Sequence, residues 1–111
     1  MIEFNSRIWN IRDPDGILNV DREIFEVSEL KFLGDFHPRE DFLSFENIES
    51  KIIIDFGFYG CEVKLEGSWQ VYVVDGKIEE GWHSPLERHE FAFGEFMQGI
   101  DCIKSLLAKY T

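Results

Sequence analysis

Apolar and polar residues alternate most regularly between Ile52 and Trp82, and this stretch predicts the centre of the fold. Side chains along a strand point to opposite faces in turn, so a period of two marks one buried face. Ile52, Ile54, Phe56 and Phe58 supply such a face, Cys61, Val63 and Leu65 a second, and Trp69, Val71 and Val73 a third. Three turn candidates separate them: Tyr59-Gly60 as a two-residue turn, Glu66-Gly67-Ser68 as a loop with its glycine left-handed, and Asp75-Gly76 as a type I′ pair. The first two turns set Phe56 opposite Val63 and Val63 opposite Val71, with the apolar faces in agreement, and the third sets Val73 opposite Ile78 and Trp69 opposite Trp82. The same register sets Glu80 against Val71. An inward charge protects an edge strand, so the strand around Ile78 is expected to be short and near an edge. The expectation is an antiparallel meander over about residues 52–82.

The flanking segments are less regular. Ile2, Phe4, Ile8, Trp9 and Ile11 suggest an N-terminal strand, ended by a type I turn at Asp13-Pro14-Asp15-Gly16. That turn also contains Asp-x-Asp-Gly, but the further oxygen ligands of a calcium loop are not at the required spacing. Residues 17–33 lean towards strand. After a break at 34–38, Phe42, Phe45 and Ile48 recur every third residue and predict a short helical turn. Ser84-Pro85-Leu86-Glu87 has the form of a capping box, with proline at the first helical position. A C-terminal helix then follows, carried by Phe93, Phe96, Met97, Ile100, Ile103, Leu107 and Tyr110. Gly94 and Gly99 weaken that helix but allow a bend or a close approach to the sheet. The predicted fold class is α+β: an antiparallel sheet with a C-terminal helix on one face, in a single domain of 111 residues.

Charge changes the picture most. The chain has 22 acidic against 11 basic residues, a net of −11, which repels nucleic acid and anionic membranes and attracts basic partners. No apolar run approaches the length of a membrane span, and the N-terminal residues lack the pattern of a secretory signal. A cytoplasmic location is therefore expected, with Cys61 and Cys102 as buried free thiols. His37, His83 and His89 are not spaced as metal ligands, and neither a phosphate-binding glycine loop nor a nucleophile elbow occurs. With so many acids a carboxylate pair arises by chance, so counting them identifies no general acid or base. These residues predict no catalytic, cofactor or metal site.

The line IDFGFYG, then EGSWQVYVVDG, then EEGWHSPLERHEF and a closing IKSLLAKY resembles small immunity proteins of bacterial polymorphic-toxin and contact-dependent growth inhibition systems. The resemblance covers roughly the C-terminal sixty residues. It implies a protein that is no enzyme and that neutralises a cognate toxin domain by covering its active site or substrate surface. A nuclease toxin is basic because it holds phosphates, so an acidic inhibitor is steered to it. On that logic Asp75, Glu79 and Glu80 are the expected rim of partner contacts, and Tyr72 and Trp82 the expected aromatic anchors. Two other classes stay open: an acidic regulator or nucleic-acid mimic of a host protein, and a small ligand-binding domain or enzyme with a pocket between sheet and helix.

Overall fold

A computed structural model describes residues 3–5, 8–12, 24–26, 40, 42–61 and 66–111. The elements are β1 (Glu3–Asn5), β2 (Trp9–Arg12), β3 (Ile24–Glu26), β4 (Leu43–Asn47), β5 (Ile52–Cys61), β6 (Glu66–Asp75), β7 (Glu87–Ala92), one turn of 3-10 helix (Phe93–Glu95) and α1 (Phe96–Lys109). Strands β2-β4-β5-β6-β7 form a five-stranded antiparallel sheet in that order, and β1 pairs with β3 separately. The α+β class and the helix on one sheet face are as expected. The turn expected at 13–16, most of residues 17–39 and residues 62–65, which were expected as strand, lie outside the described residues.

The meander is built from two long strands rather than four short ones. β5 runs straight through Tyr59-Gly60, and Phe58, Phe56 and Ile54 stand directly opposite Trp69, Val71 and Val73 of β6. Gly60 and Gly67 face each other within the ladder with φ of 149° and 148°. A Cβ on Gly60 would stand 2.1 Å from the Glu66 carbonyl oxygen, and one on Gly67 2.2 Å from that of Tyr59. The two glycines are there because the backbones press together, not because the chain turns at either. The two glycines expected in turns are a facing pair within the ladder of β5 and β6.

The expected third hairpin does not form either. Gly76 is not left-handed, as a type I′ turn demands. Its N–H donates to the Lys51 carbonyl at 2.9 Å, and the Asp75 carboxylate accepts the Lys77 N–H at 3.0 Å. The chain continues through successive turns closed by Ile78 to Asp75, Gly81 to Ile78 and His83 to Glu80. Ile78 is therefore on no strand, Glu80 does not face Val71, and Trp82 is not opposite Trp69. The neighbour of β6 is β7, which sets Val71 against His89 and Trp69 against Phe91. The capping box at Ser84 is pre-empted as well. The Leu86 N–H, which an N-cap would serve, donates to the Val73 carbonyl at 2.7 Å and starts β7. Glu95 takes the capping role instead, accepting the Ala92 N–H at 2.7 Å. The stretch expected as a helical turn is strand β4, with Leu43, Phe45 and Asn47 buried in alternation; Ile48 is exposed.

Trp69 is the centre of the core. It is 1% exposed, and its ring lies 5.0 Å from Phe42, 5.0 Å from Phe56, 5.4 Å from Phe58 and 5.0 Å from Phe96. The indole N–H donates to the Phe93 carbonyl at 3.1 Å, so the buried donor is satisfied and the start of the helical segment is tied to the sheet. Ile100, Ile103, Leu106 and Leu107 complete the core from α1, whereas Phe93 and Met97 are exposed. Gly99 allows the expected close approach: a Cβ there would stand 2.8 Å from the Phe56 ring. Buried Asn47 closes the far end. Its Oδ1 accepts the Glu49 and Ser50 N–H groups at 3.0 Å each, and its Nδ2 donates to the Tyr110 carbonyl at 3.0 Å.

Two stability outcomes follow, both measured by urea unfolding. Trp69→Ala is expected to cost about 3–5 kcal/mol, as a large buried aromatic does. Gly94 has open space around it. Gly94→Ala should therefore be neutral or gain up to about 1 kcal/mol, whereas Gly99→Ala should lower the midpoint because overpacking outweighs helix propensity. A Gly99→Ala protein as stable as Gly94→Ala would show that the helix does not rest on Phe56.

Candidate functional site

The sheet has one face filled by α1 and one that points away from it. On the second face the strand register aligns Arg12, Ser44, Asp55, Tyr72 and Arg88 in a single row across all five strands. The row carries a guanidinium at each end and a carboxylate at its centre. Arg88 lies over the Tyr72 ring at 5.9 Å, and Tyr59 meets Tyr72 edge-on at 5.7 Å. The Tyr59 hydroxyl donates to Asp55 at 3.4 Å. Burial, followed by Asp55, Tyr72 and Glu40 and the hydrogen bond to Asp55, holds the Tyr59 phenol well above its ordinary pKa, so it stays a neutral donor. Gln70, in the next row, accepts from the Tyr72 hydroxyl and donates to Ser68 at 3.2 Å and to Glu90 at 3.3 Å. Arg88 pairs with Glu90 at 3.5 Å.

A cleft of about 220 Å³ opens beside this row, lined by Arg12, Glu40, Leu43, Ser44, Asp55, Tyr59 and Trp82. Glu40 reaches it because Gly57 has no side chain. A Cβ at Gly57 would stand 1.9 Å from the Glu40 carbonyl oxygen, so the chain ahead of β4 lies directly on β5. Trp82 reaches it from the connection between β6 and β7. Gly81 is buried against the Asp75 carbonyl and the Val74 side chain, which seats this connection on the sheet end. The cleft is smaller than a drug-sized ligand pocket and lies on the face away from the helix, not between sheet and helix.

Each of the five residues expected to meet a partner has a definite place. Tyr72 points away from the apolar face, as expected, but within the polar network. Asp75 ends β6, with its carboxylate turned to the Lys77 amide. Glu79 and Glu80 are exposed on the connection. Trp82 is 52% exposed at the cleft rim, and it shares its connection with Ile78 at 56% and Leu86 at 53%. The structure thus brings Trp82, Glu79 and Glu80 onto one segment and sets Tyr72 in the row beside the cleft. Arg12, Ser44, Asp55, Tyr59 and Arg88 were not expected. Their polarity is visible in the sequence, but their alignment depends on pairings between distant strands.

A second charged cluster joins β7 to the end of α1. The Glu87 carboxylate accepts from Lys109 Nζ at 2.8 Å and from the Tyr110 hydroxyl, and lies 3.1 Å from His89 Nε2. The bonds from Lys109 and Tyr110 lower its pKa from 4.5 to about 2, against the opposing effect of burial; His89 and the Lys109 charge add to the lowering. Lys109 is raised in turn, mainly by its bond to Glu87. Burial, and then the Glu87 charge, raise the pKa of the free, half-buried Cys102 thiol, which is thereby disfavoured as a nucleophile. Among the described residues no three His, Cys, Asp or Glu side chains are placed to hold a metal, and no helix is long and apolar enough to cross a membrane.

Comparison with protein-family models, with curated proteins and with solved structures returned no match to the chain.

Because the Glu87 pKa is depressed on folding, its stabilising contribution is complete above its ordinary value of 4.5 and is lost as the pH falls towards about 2. Glu87→Gln should be less stable than the parent protein at pH 7, and the gap should close across that window. Urea midpoints at stepped pH values test this. A gap independent of pH would show that the carboxylate charge contributes nothing.

Proposed function

We propose that this chain is an inhibitor of the immunity-protein kind, which neutralises a basic, nuclease-type toxin domain by docking on it through the connection from Asp75 to Leu86. One observation carries the reading. Ile78, Trp82 and Leu86 are each more than half exposed on one short connection, interleaved with Asp75, Glu79 and Glu80. Large apolar side chains gathered in a charged rim are the make-up of a protein-binding hot spot. The acids steer a basic partner and set the rate of encounter, while the apolar side chains hold it once docked. The net charge of −11 extends that attraction beyond the contact itself.

The same geometry weighs against a nucleic-acid mimic. Such a surface needs carboxylates following one another like phosphates, whereas the described row on the face away from the helix sets Asp55 between Arg12 and Arg88, and Glu90 in the next row pairs with Arg88. The inhibitor acts by occupying a surface and turns nothing over.

The test is growth of cells expressing a candidate basic toxin domain, with titration calorimetry on its inactive form. The parent protein should restore growth, and a variant carrying Ile78→Ser, Trp82→Ala and Leu86→Ser should fail to. Its affinity should fall at least about 30-fold, for the loss of about 2 kcal/mol or more at a hot spot. Changing Asp75, Glu79 and Glu80 together to Ser should slow association at low salt and leave dissociation nearly unchanged. Full protection by the apolar triple variant rejects this docking surface.

A further inference from the structure

β7 ends its sheet, and its charges select one way of pairing with a second copy of the chain. Among the described residues β7 pairs with β6 alone. Burial alternates along it: Arg88, Glu90 and Ala92 are exposed, and Glu87, His89 and Phe91 are half-buried. Arg88 and Glu90 lie on the face away from the helix, 3.5 Å apart, with side chains 56% and 57% exposed. Charges of one sign on an edge strand keep other chains off. Here the sign changes along the exposed face, so the charges reject some pairings and favour another.

Residues that stand opposite each other in a continuous sheet lie on the same face. Two copies of one strand, paired antiparallel about a two-fold axis, must therefore be centred on a residue and not between two. Centring on Arg88 sets two guanidiniums against each other, and centring on Glu90 sets two carboxylates together. Like charges directly opposite are destabilising. Centring on His89 sets Arg88 opposite the second copy's Glu90, twice, and Glu87 opposite the second copy's Phe91. We infer that the chain forms a homodimer by antiparallel pairing of β7 in this register, joining the two five-stranded sheets edge to edge. The two ion pairs across the axis and the one within each copy close a ring of four charges alternating in sign. A guanidinium has donors enough for two carboxylates, and a carboxylate accepts several bonds. Glu87 does not disturb the register, because Lys109 Nζ at 2.8 Å and the Tyr110 hydroxyl already hold its carboxylate.

Sedimentation velocity on the whole chain, in about 0.15 M salt, tests the pairing. Each copy carries a net charge of −11, and the Debye length of about 8 Å at that salt screens the general repulsion more than the contacts at the strand. The expected result is a monomer–dimer equilibrium with its midpoint between about 10 µM and 300 µM, the range of a small, transient interface. Arg88→Glu alone and Glu90→Arg alone should each weaken dimerisation at least about tenfold, because each sets like charges opposite. An equimolar mixture of those two variants should dimerise like the parent, since every Glu then meets an Arg. The double variant with both changes should do the same. It retains both charges, so it decides the matter even if a single reversal misfolds. A parent protein that stays monomeric to about 1 mM, a dimer that Arg88→Glu leaves unchanged, or single variants whose mixture and double variant stay monomeric overturns the pairing. The inference uses none of the residues that carry the inhibitor reading, so the failure of one leaves the other standing.

Discussion

The indole of Trp69 sets the spacing between sheet and helix. A tryptophan brings the largest apolar surface of any side chain and one hydrogen-bond donor that must be satisfied when buried. Here the ring is enclosed by Phe42, Phe56, Phe58 and Phe96, and its N–H reaches the Phe93 carbonyl. That bond fixes where the chain leaves β7 and enters the 3-10 turn. It therefore fixes where α1 begins and which of its faces meets the sheet. Gly99 then lets the helix settle on Phe56. Those constraints leave the opposite sheet face free of the helix, and that is where the polar row and the cleft lie.

The faces of the strands were legible in the sequence, and their pairing was not. Phe56, Phe58, Trp69, Val71 and Val73 do line one buried face, as alternation alone requires. Which of them stand opposite one another depends on where the chain turns, and glycine is ambiguous about turns. Gly60 and Gly67 satisfy close backbone approach across a ladder, which in sequence looks the same as a turn requirement. Asp75-Gly76 and Ser84-Pro85-Leu86-Glu87 are both good local signals, and both lose to tertiary hydrogen bonds. The Gly76 amide goes to Lys51 and the Leu86 amide to Val73, from partners that no local pattern shows.

The candidate site divides along the same line. Trp82, Glu79 and Glu80 were accessible to sequence reasoning because they follow one another on a single connection. The row from Arg12 to Arg88 was not, since it needs four strand pairings in the correct register before any two members become neighbours. Reading β4 as helical hid Ser44 from that row. Trp82 was expected both as a partner anchor and opposite Trp69 across a strand pair, and only the second is excluded by the register. Its exposure came into view only when β7 took the place beside β6.

The bond from Asn47 to the Tyr110 carbonyl joins positions 63 residues apart. The same side chain receives the Glu49 and Ser50 amides, two residues of a surface hairpin turn. Those two amide protons are thereby coupled to the seating of the C-terminal helix, although they belong to a different part of the chain. Lifting the helix end would remove one of the three bonds that orient the Asn47 carboxamide, so the exchange of those two amides is linked to the helix through a single side chain. The turn between β4 and β5 and the last element of the fold thus share one buried amide.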